Sequence, residues 1–421
     1  MMKAHEIDHT PLWKKTIKKI TSPRTRDCIK RIAFQGFTYF HDIHGYKRSR
    51  APFGVNLIGH IRGDFGLGES CRIVAGVLRA SGVPFSVYNL PQNGSAAESN
   101  MQWADYEQSD FPYSVNLIHL NPNEIANAVW RLDYKKLNAG YNIAFWLWEL
   151  PEFPKEWDYT FQLFDEIWTP AEFVSDAIRR CTKKPVHTMP YGFEVPITNP
   201  EYDRKYFGLP EEPFLFLISY DGNSVSERKN PLGAIQAYCS AFDRTERNVG
   251  IVIKATHAQA HDLEEIQRYL NGYPNVYILT QNYSKEEFNS LIKCVDAYVS
   301  LHRAEGFGLV MAEAMLLGTP VIATAWSANM EFMNEHTAGL VDADIVELER
   351  DIPPYHKGNH WAQPNEQQAS RWMRRLRDDR KFAETMAKNA QGYMQNRMTY
   401  EQAGQKMCER LNQLELMLKN E

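Results

Sequence analysis

Leu301-His-Arg-Ala-Glu-Gly-Phe-Gly-Leu-Val-Met-Ala-Glu-Ala-Met315 is the stretch whose reading decides the fold. The apolar run Ala297–Leu301 predicts a strand that stops at this stretch, two glycines bracket Phe307, and an apolar helix is predicted over Leu309–Leu317. Gly318-Thr-Pro and a further strand, Val321–Ala323, follow. Strand, glycine turn, helix and strand together form the repeating unit of a doubly wound α/β sheet. The same residues suggest chemistry. Glycine lets main chain approach a ligand closely, and a helix start offers unpaired N–H groups at the positive end of a dipole, a setting for a diphosphate. Glu305 and Glu313, one on each side of the turn, can accept hydrogen bonds from hydroxyl-rich ligands such as sugars and ribose. The bland alternative is a tight turn followed by an amphipathic helix with Glu313 in water.

Outward from this stretch the pattern repeats. Strands are predicted at Phe214–Ser219, Val249–Ala255 and Val276–Leu279, and helices at Asn230–Asp243, Asp262–Leu270 and Lys285–Cys294. Pro231 suits a first helical turn. Upstream, Val55–Ile58, Val83–Leu90, Ser114–Leu120, Tyr141–Leu147, Glu166–Thr169 and Val186–Met189 read as strands of an earlier α/β unit, with a helix over Glu69–Ser81. Pro190, Pro196, Pro200, Pro210 and Pro213, with Gly192 and Gly208, interrupt regular structure between the two units. The expected organisation is a basic arm at 1–50, one domain at 51–195, a linker at 196–213, a second domain at 214–395 and a terminal helix at 396–421. The polar stretch 349–365 reads as a loop.

A chain of 421 residues suits two domains, and 43% hydrophobic with 24% charged residues is a globular composition. The net charge of -5 gives no reason to expect nucleic acid as a partner. Cysteines 28, 71, 181, 239, 294 and 408 are scattered, which suits a reducing compartment and neither a zinc site nor a disulfide framework. With no membrane-spanning run and no signal peptide pattern, the expected location is cytoplasmic. The first fifty residues hold 12 Lys/Arg against 4 Asp/Glu, so +8 there and -13 in the remainder. Leu12, Trp13, Ile17 and Ile20 interleave with Lys14, Lys15, Lys18 and Lys19, and Ile29, Ile32, Ala33, Phe37 and Phe40 follow. This is either an amphipathic segment for an anionic membrane surface or a helical arm packed on the first domain.

Other residues carry candidate chemistry. Arg228 and Lys229 are adjacent cations after a strand, suited to a phosphate or to a solvated cap. His119 ends the strand Leu117-Ile-His-Leu-Asn121, facing a cleft or making a structural hydrogen bond. Trp146-Leu-Trp-Glu149 brings aromatics and a carboxylate to another strand end, as an acceptor site or as plain core. Gly66-x-Gly68-x-x-Cys71 nearly fits a dinucleotide fingerprint, but Cys71 replaces the third glycine and Asn89-Leu90 lacks the acidic ribose ligand, which weakens a dehydrogenase reading. Asp342-Ala-Asp344 looks like a metal-binding D-x-D and is read as a coincidence. Nothing around Lys254 argues for a pyridoxal phosphate Schiff base.

The segment Glu305–Glu313 with Gly318-Thr-Pro-Val-Ile-Ala323 resembles the E-x7-E signature of glycosyltransferase family 4 and its GT-B relatives. Asp165-Glu-Ile-Trp-Thr-Pro170, Met189-Pro-Tyr-Gly-Phe193 and Arg228-Lys-Asn-Pro231 resemble further motifs of that family, in the expected order from about Gly54 to about Asp344. The resemblance implies a GT-B fold: two Rossmann-like doubly wound domains facing a cleft, with the C-terminal helix crossing back to the first domain. It further implies a retaining, metal-independent hexosyltransferase without a cofactor, moving sugar from a nucleoside diphosphate to a glycan or lipid-linked hydroxyl, as in bacterial polysaccharide or lipopolysaccharide synthesis. Glu305 would bind donor hydroxyls, Glu313 the ribose, and the amides of Gly306, Phe307, Gly308 and Leu309 the sugar and phosphates. Arg228 and Lys229 would neutralise the diphosphate, and His119 would touch the sugar. Gly66, Gly68 and Glu149 would border the acceptor or leaving phosphate. The basic arm would hold the enzyme at the inner face of the membrane. The alternative of another class is a catalytically silent sugar-nucleotide-binding scaffold.

Overall fold

The computed structural model describes residues 23–41, 51–91 and 98–420. Six short strands form the first sheet: β1 (Val55–Gly59), β2 (Phe85–Asn89), β3 (Val115–His119), β4 (Tyr141–Phe145), β5 (Glu166–Thr169) and β6 (Val186–Thr188). They lie in the order β2-β1-β3-β4-β5-β6, all parallel, with Val55 in register with Phe85 on one side and Val115 on the other. A parallel sheet is covered on both faces, so its inner strands are apolar throughout; β1, β3 and β4 are buried at every position. Besides His119 at the end of β3, the polar exceptions are Asn56, Asn116 and Asn142. Their side chains bond one another in a row across the sheet, Asn56 Nδ2 to Asn116 Oδ1 at 2.8 Å and Asn116 Nδ2 to Asn142 Oδ1 at 2.9 Å.

A second parallel sheet repeats the plan with β7 (Phe214–Asp221), β8 (Val249–Thr256), β9 (Val276–Leu279), β10 (Ala297–Ser300), β11 (Val321–Thr324) and β12 (Gly339–Val341), in the order β12-β11-β10-β7-β8-β9. In both sheets the winding reverses once, between β1 and β3 and between β7 and β10. A crevice opens beyond the strand C-termini at such a reversal, because neighbouring crossovers depart to opposite sides. His119 lies at the first reversal, and the loops carrying Arg228 and Glu305 leave from the second.

The predicted strands and helices are present with boundaries shifted by a few residues, the widest being the helix Gly66–Ser81, which begins three residues before the predicted Glu69. One expectation fails. Residues 349–365 are not all loop, since β14 (His360–Pro364) pairs antiparallel with β13 (Ala343–Glu347). This ribbon projects from the end of β12. Asp342 lies at its root, where its main chain and carboxylate engage Gln368 at 2.6 and 3.2 Å.

The terminal helices are Glu366–Asp378, Arg380–Arg397 and Tyr400–Asn420. The last crosses back and packs along Gly66–Ser81 of the first domain. Its entry explains Gly192: a Cβ there would come within 2.5 Å of the Tyr400 Cα. Arg410 of this helix reaches the fully buried Glu166 on β5, anchoring the crossing with an ion pair.

Of the N-terminal arm, residues 1–22 and 42–50 lie outside the described residues. The helix Pro23–Phe40 packs on the first domain through Phe34 and Phe37, whose rings meet Tyr159 at 5.1 Å and Trp130 at 4.6 Å. Its opposite face carries Ile29, Ile32 and Phe40 exposed, the last two at 64% and 83%. Among the described residues no helix is long and apolar enough to cross a membrane.

Candidate functional site

Glu305 follows β10 in the loop at the second crevice. Its amide donates to Ser327 Oγ at 3.0 Å, which fixes the main chain. Its carboxylate is paired with Lys229 Nζ and lies 3.5 Å from the Arg228 guanidinium. Arg228 is itself buried and held by the Ala304 carbonyl and the Ser224 hydroxyl, both at 2.8 Å. Burial alone would raise the Glu305 pKa, but Lys229, Arg228 and His302 outweigh it and hold the carboxyl at about 2. Two loops far apart in sequence thus bring three of the predicted residues together as one ionised cluster.

Gly308 caps the helix Leu309–Leu316 with φ +97°, a left-handed conformation that disfavours any side chain, so glycine here lets the turn close tightly. The Leu309 and Val310 amides have no intrahelical acceptor, whereas those of Met311 and Ala312 donate to the Gly308 carbonyl, both at 3.1 Å. Gly306 lies against the first domain, where a Cβ would meet the Trp148 carbonyl at 3.3 Å. Phe307 is buried and does not face a ligand space. Its ring stacks on Phe332 at 5.1 Å and meets Tyr191 edge-on at 4.7 Å, so of this residue only the main chain is left for binding.

Glu313 lies on the helix interior and is buried. It is not solvated: Lys285 Nζ donates to its carboxylate and lies 3.8 Å from Glu69 of the first domain. Arg72 completes the group by a 2.7 Å contact to Glu69. Glu69 sits in the first turn of Gly66–Ser81, so this turn faces the second domain. Gly66 is open there, since a Cβ at this position would meet no atom within 4 Å. Gly68 is instead pressed onto the Gly63 carbonyl, whose oxygen lies 2.2 Å from where a Cβ would stand. Gly68 is therefore a packing glycine beneath the loop and does not border a pocket.

His119 is fully buried. Its Nε2 is 2.7 Å from Ser70 Oγ, whose hydroxyl in turn contacts Tyr191 OH, while Nδ1 has no partner. The ring stacks on Phe145 with centroids 5.1 Å apart. Burial lowers its pKa to about 3, so it is neutral at physiological pH. Trp146 is plain core, surrounded by Phe153, Phe161 and Phe164. Trp148 donates to the Glu152 carbonyl at 2.8 Å and packs against Tyr355, which leaves neither indole a free face for a sugar. Glu149 is the cleft residue of this segment, close enough to Arg228, Lys229 and Tyr355 to act on the charge of each.

Sequence reasoning missed Lys285, Glu69 and Tyr355. Lys285 opens a helix directly after Ser284, whose capping box with Glu287 is legible, but no local signal points Lys285 at Glu313. A hollow of about 360 Å³ is lined by Ala255, His257, Ala258, Leu263, Thr280 and Asn282, at the C-terminal ends of β8 and β9.

The family model for Glycosyl transferases group 1 matches residues 202–393, the second domain with part of the linker before it. No curated protein matches the chain. Among solved structures, Anabaena Alr3699/HepE in complex with UDP-glucose is similar over 85% of this chain and 99% of its own, with 15% identity and a TM-score of 0.63. Sucrose-phosphate synthase from Thermosynechococcus elongatus is similar over 86% of this chain and 100% of its own, with 15% identity and a TM-score of 0.62. A glycosyltransferase from Rickettsia africae covers 86% and 98%, with 10% identity and a TM-score of 0.60. The chain therefore has the GT-B fold, and its residues 202–393 resemble the glycosyl transferases group 1.

Proposed function

We propose that the protein is a retaining hexosyltransferase, of the family 4 type, that moves a hexose from a nucleoside diphosphate sugar to a hydroxyl of a glycan or lipid-linked acceptor in bacterial surface polysaccharide synthesis. The observation that carries this reading is the cluster of Glu305, Arg228 and Lys229 at the reversal of the second sheet, with Glu313 on the adjoining helix. Arg228, Lys229 and the helix start at Leu309 would hold the diphosphate. Glu305, kept ionised, would accept hydrogen bonds from sugar hydroxyls, and Glu313 from the ribose. The hollow at the C-terminal ends of β8 and β9 would take the nucleobase. His119, through its unpartnered Nδ1, would meet the sugar from the first domain.

In the reaction the bond from the anomeric carbon to the diphosphate breaks and a bond to the acceptor oxygen forms on the same face. The acceptor proton passes to the departing phosphate. The residues present would supply positioning and charge stabilisation. The reading assigns no metal and no cofactor, because the two cations and the helix terminus provide the positive charge. The likeness to the Anabaena protein, whose structure holds UDP-glucose, supports a donor of that class. The exposed apolar face of Pro23–Phe40, in a sequence segment of net charge +8 over residues 1–50, supports attachment to the inner face of a membrane.

A panel of UDP- and GDP-sugars tested by thermal shift identifies the donor, since a ligand at a hundred times its Kd stabilises by about 2.7 kcal/mol. Product analysis with the selected donor then reads transfer and anomeric configuration. An inverted product would overturn the retaining assignment, stabilisation without turnover under any acceptor would favour a silent scaffold, and no stabilisation by any donor would overturn the donor site.

A further inference from the structure

The first sheet has a cavity of its own beyond its strand ends. Gly59 of β1 and His119 of β3 are in register, so His60 and Leu120 each stand one residue further out. With Leu90 after β2, and with Glu124 and Ala128 of the helix Pro122–Ala128, they enclose about 160 Å³. Asn127 and Arg131 are the exposed lining residues and mark the mouth. All the described lining residues belong to the first domain.

Two buried acceptors face this space. His60 Nδ1 is 2.6 Å from the Leu90 carbonyl, which can only accept, so Nδ1 holds the ring proton. In the neutral ring Nε2 is then a lone-pair acceptor, and it has no hydrogen-bond partner although His60 is only 5% exposed. Glu124 Oε2 is likewise buried and unpartnered. His60 Nε2 and Glu124 Oε1 are 3.7 Å apart, beyond hydrogen-bond reach. The two groups do not satisfy each other and call for a ligand that brings hydrogens to both.

Arg131 supplies the complementary half. Its Nη1 donates to the Pro91 carbonyl at 2.6 Å, which holds the guanidinium at the mouth with further N–H groups to offer. A metal or ammonium ion would suit the two acceptors, but the charge of Arg131 opposes it. Neighbouring hydroxyls of a sugar can donate to His60 and Glu124 and accept from Arg131, while Leu90, Leu120 and Ala128 meet the C–H face of the ring. Volume narrows the choice further. A cavity of about 150 Å³ holds benzene, so this one suits a single six-membered ring and is too small for a nucleotide.

We propose that this cavity is a sugar-binding subsite of the first domain, in which His60 Nε2, Glu124 and Arg131 bind the hydroxyls of one ring of the acceptor glycan. It begins one residue beyond His119, which the donor-site reading above sets against the transferred sugar, so a ring held here lies on the acceptor side. The name acceptor rests on that reading; the binding of a sugar ring does not.

The full chain, saturated with UDP, is titrated with the methyl glycosides of glucose, galactose, mannose and N-acetylglucosamine, read by saturation-transfer NMR. His60→Asn keeps an N–H for the Leu90 carbonyl and removes Nε2, Glu124→Gln keeps the shape and removes the charge, and Asn127→Trp obstructs the mouth. At least one glycoside should bind wild type. His60→Asn and Glu124→Gln should each weaken it about tenfold, the loss expected for one hydrogen bond to a polar or charged partner, and Asn127→Trp should abolish it. Glu305→Gln should bind the glycoside like wild type. Melting temperatures check folding, and Glu124→Gln and Asn127→Trp, at partly exposed and exposed positions, keep the test if His60→Asn does not fold. A wild type that binds no glycoside, as for a cavity holding solvent only, would overturn the proposal, as would equal binding by wild type and the cavity variants. Loss in Glu305→Gln alone would place the ring in the donor pocket and overturn it too. Failure of UDP to bind wild type would sink the donor reading instead, and the glycoside titration would still decide this one.

Discussion

Glu305→Gln keeps the shape of the side chain and removes its charge. Relative to an ordinary glutamate at 4.5, the carboxyl is held at about 2. At about 1.4 kcal/mol per pH unit, that displacement corresponds to about 3 kcal/mol of stability at pH 7. A second route gives the same scale, since removing one member of a buried ion pair costs about 3–5 kcal/mol. The variant leaves Arg228 and Lys229 facing Glu149 alone. With about 2–4 °C of melting temperature per kcal/mol for a domain of this size, the expected fall is about 6–12 °C. The sign is that of a depressed carboxyl: the stabilisation is complete above 4.5 and is lost as pH falls through 2, so the gap between wild type and variant should persist to about pH 4.5 and close below it. Scanning calorimetry with and without UDP reads the second consequence. Two cations freed of their carboxylate should accept a diphosphate more readily, so UDP should raise the melting temperature of the variant more than that of wild type. Sugar transfer should nonetheless drop about a hundredfold or more. A variant that melts like wild type at pH 7, or that gains less from UDP, would refute the cluster as described.

Three further expectations follow from the same geometry. His119, held near 3 from an ordinary 6.5, is a depressed base whose burial costs stability as pH falls below 6.5, by up to about 1.4 kcal/mol per pH unit; His119→Phe should therefore flatten the fall of melting temperature between pH 6.5 and 4, and parallel profiles would contradict this. Glu313→Ala should weaken UDP and a UDP-sugar by the same factor, about tenfold or more, when both are titrated, because its assigned partner is the ribose; a loss confined to the sugar nucleotide would move Glu313 to the sugar. Ile32→Glu and Phe40→Glu should each reduce cosedimentation with vesicles containing phosphatidylglycerol; equal recovery of wild type and both variants on the anionic vesicles would remove that face from any membrane contact.

The inner strands β1, β3, β4, β7 and β8 were legible because each is a largely apolar run buried on both faces, a pattern that tertiary context cannot easily override. β14 was not: His360-Trp-Ala-Gln-Pro364 has neither a run nor clear alternation, and it is a strand only because β13 offers it a partner. Glu305, Glu313, Arg228 and Lys229 were legible since each lies in a short motif whose spacing is set by one turn. Their states were not. The alternatives the sequence left open put Glu313 in water and Arg228-Lys229 in a solvated cap, whereas Arg228, Glu305 and Glu313 are buried, so each has a structural part. His119 shows the same limit: its place at a strand end is visible from the residues, but its bond to Ser70 depends on a helix 49 residues earlier. Lys285 and Tyr355 reach the site from elements whose own sequences concern capping and a proline-rich loop, and only the closed arrangement of the domains reveals them.

That arrangement has a consequence for how a donor enters. The second domain supplies the cations Arg228, Lys229 and Lys285, and the first domain opposes them with Glu149 and Glu69. The first domain's carboxylates thus do part of what a diphosphate would do, neutralising charge at the crevice of the second sheet. On the donor-site reading, diphosphate and first domain compete for the same cations, so donor entry must weaken the contacts of Glu149 and leave those of the ribbon, His360–Glu152 and His356–Glu156, to keep the domains together. A competition between anions for shared cations is relieved by salt, whereas the buried aromatic contacts are not. Raising ionic strength should then loosen the closed domains at the charge cluster first and leave Tyr355 packed against Trp148.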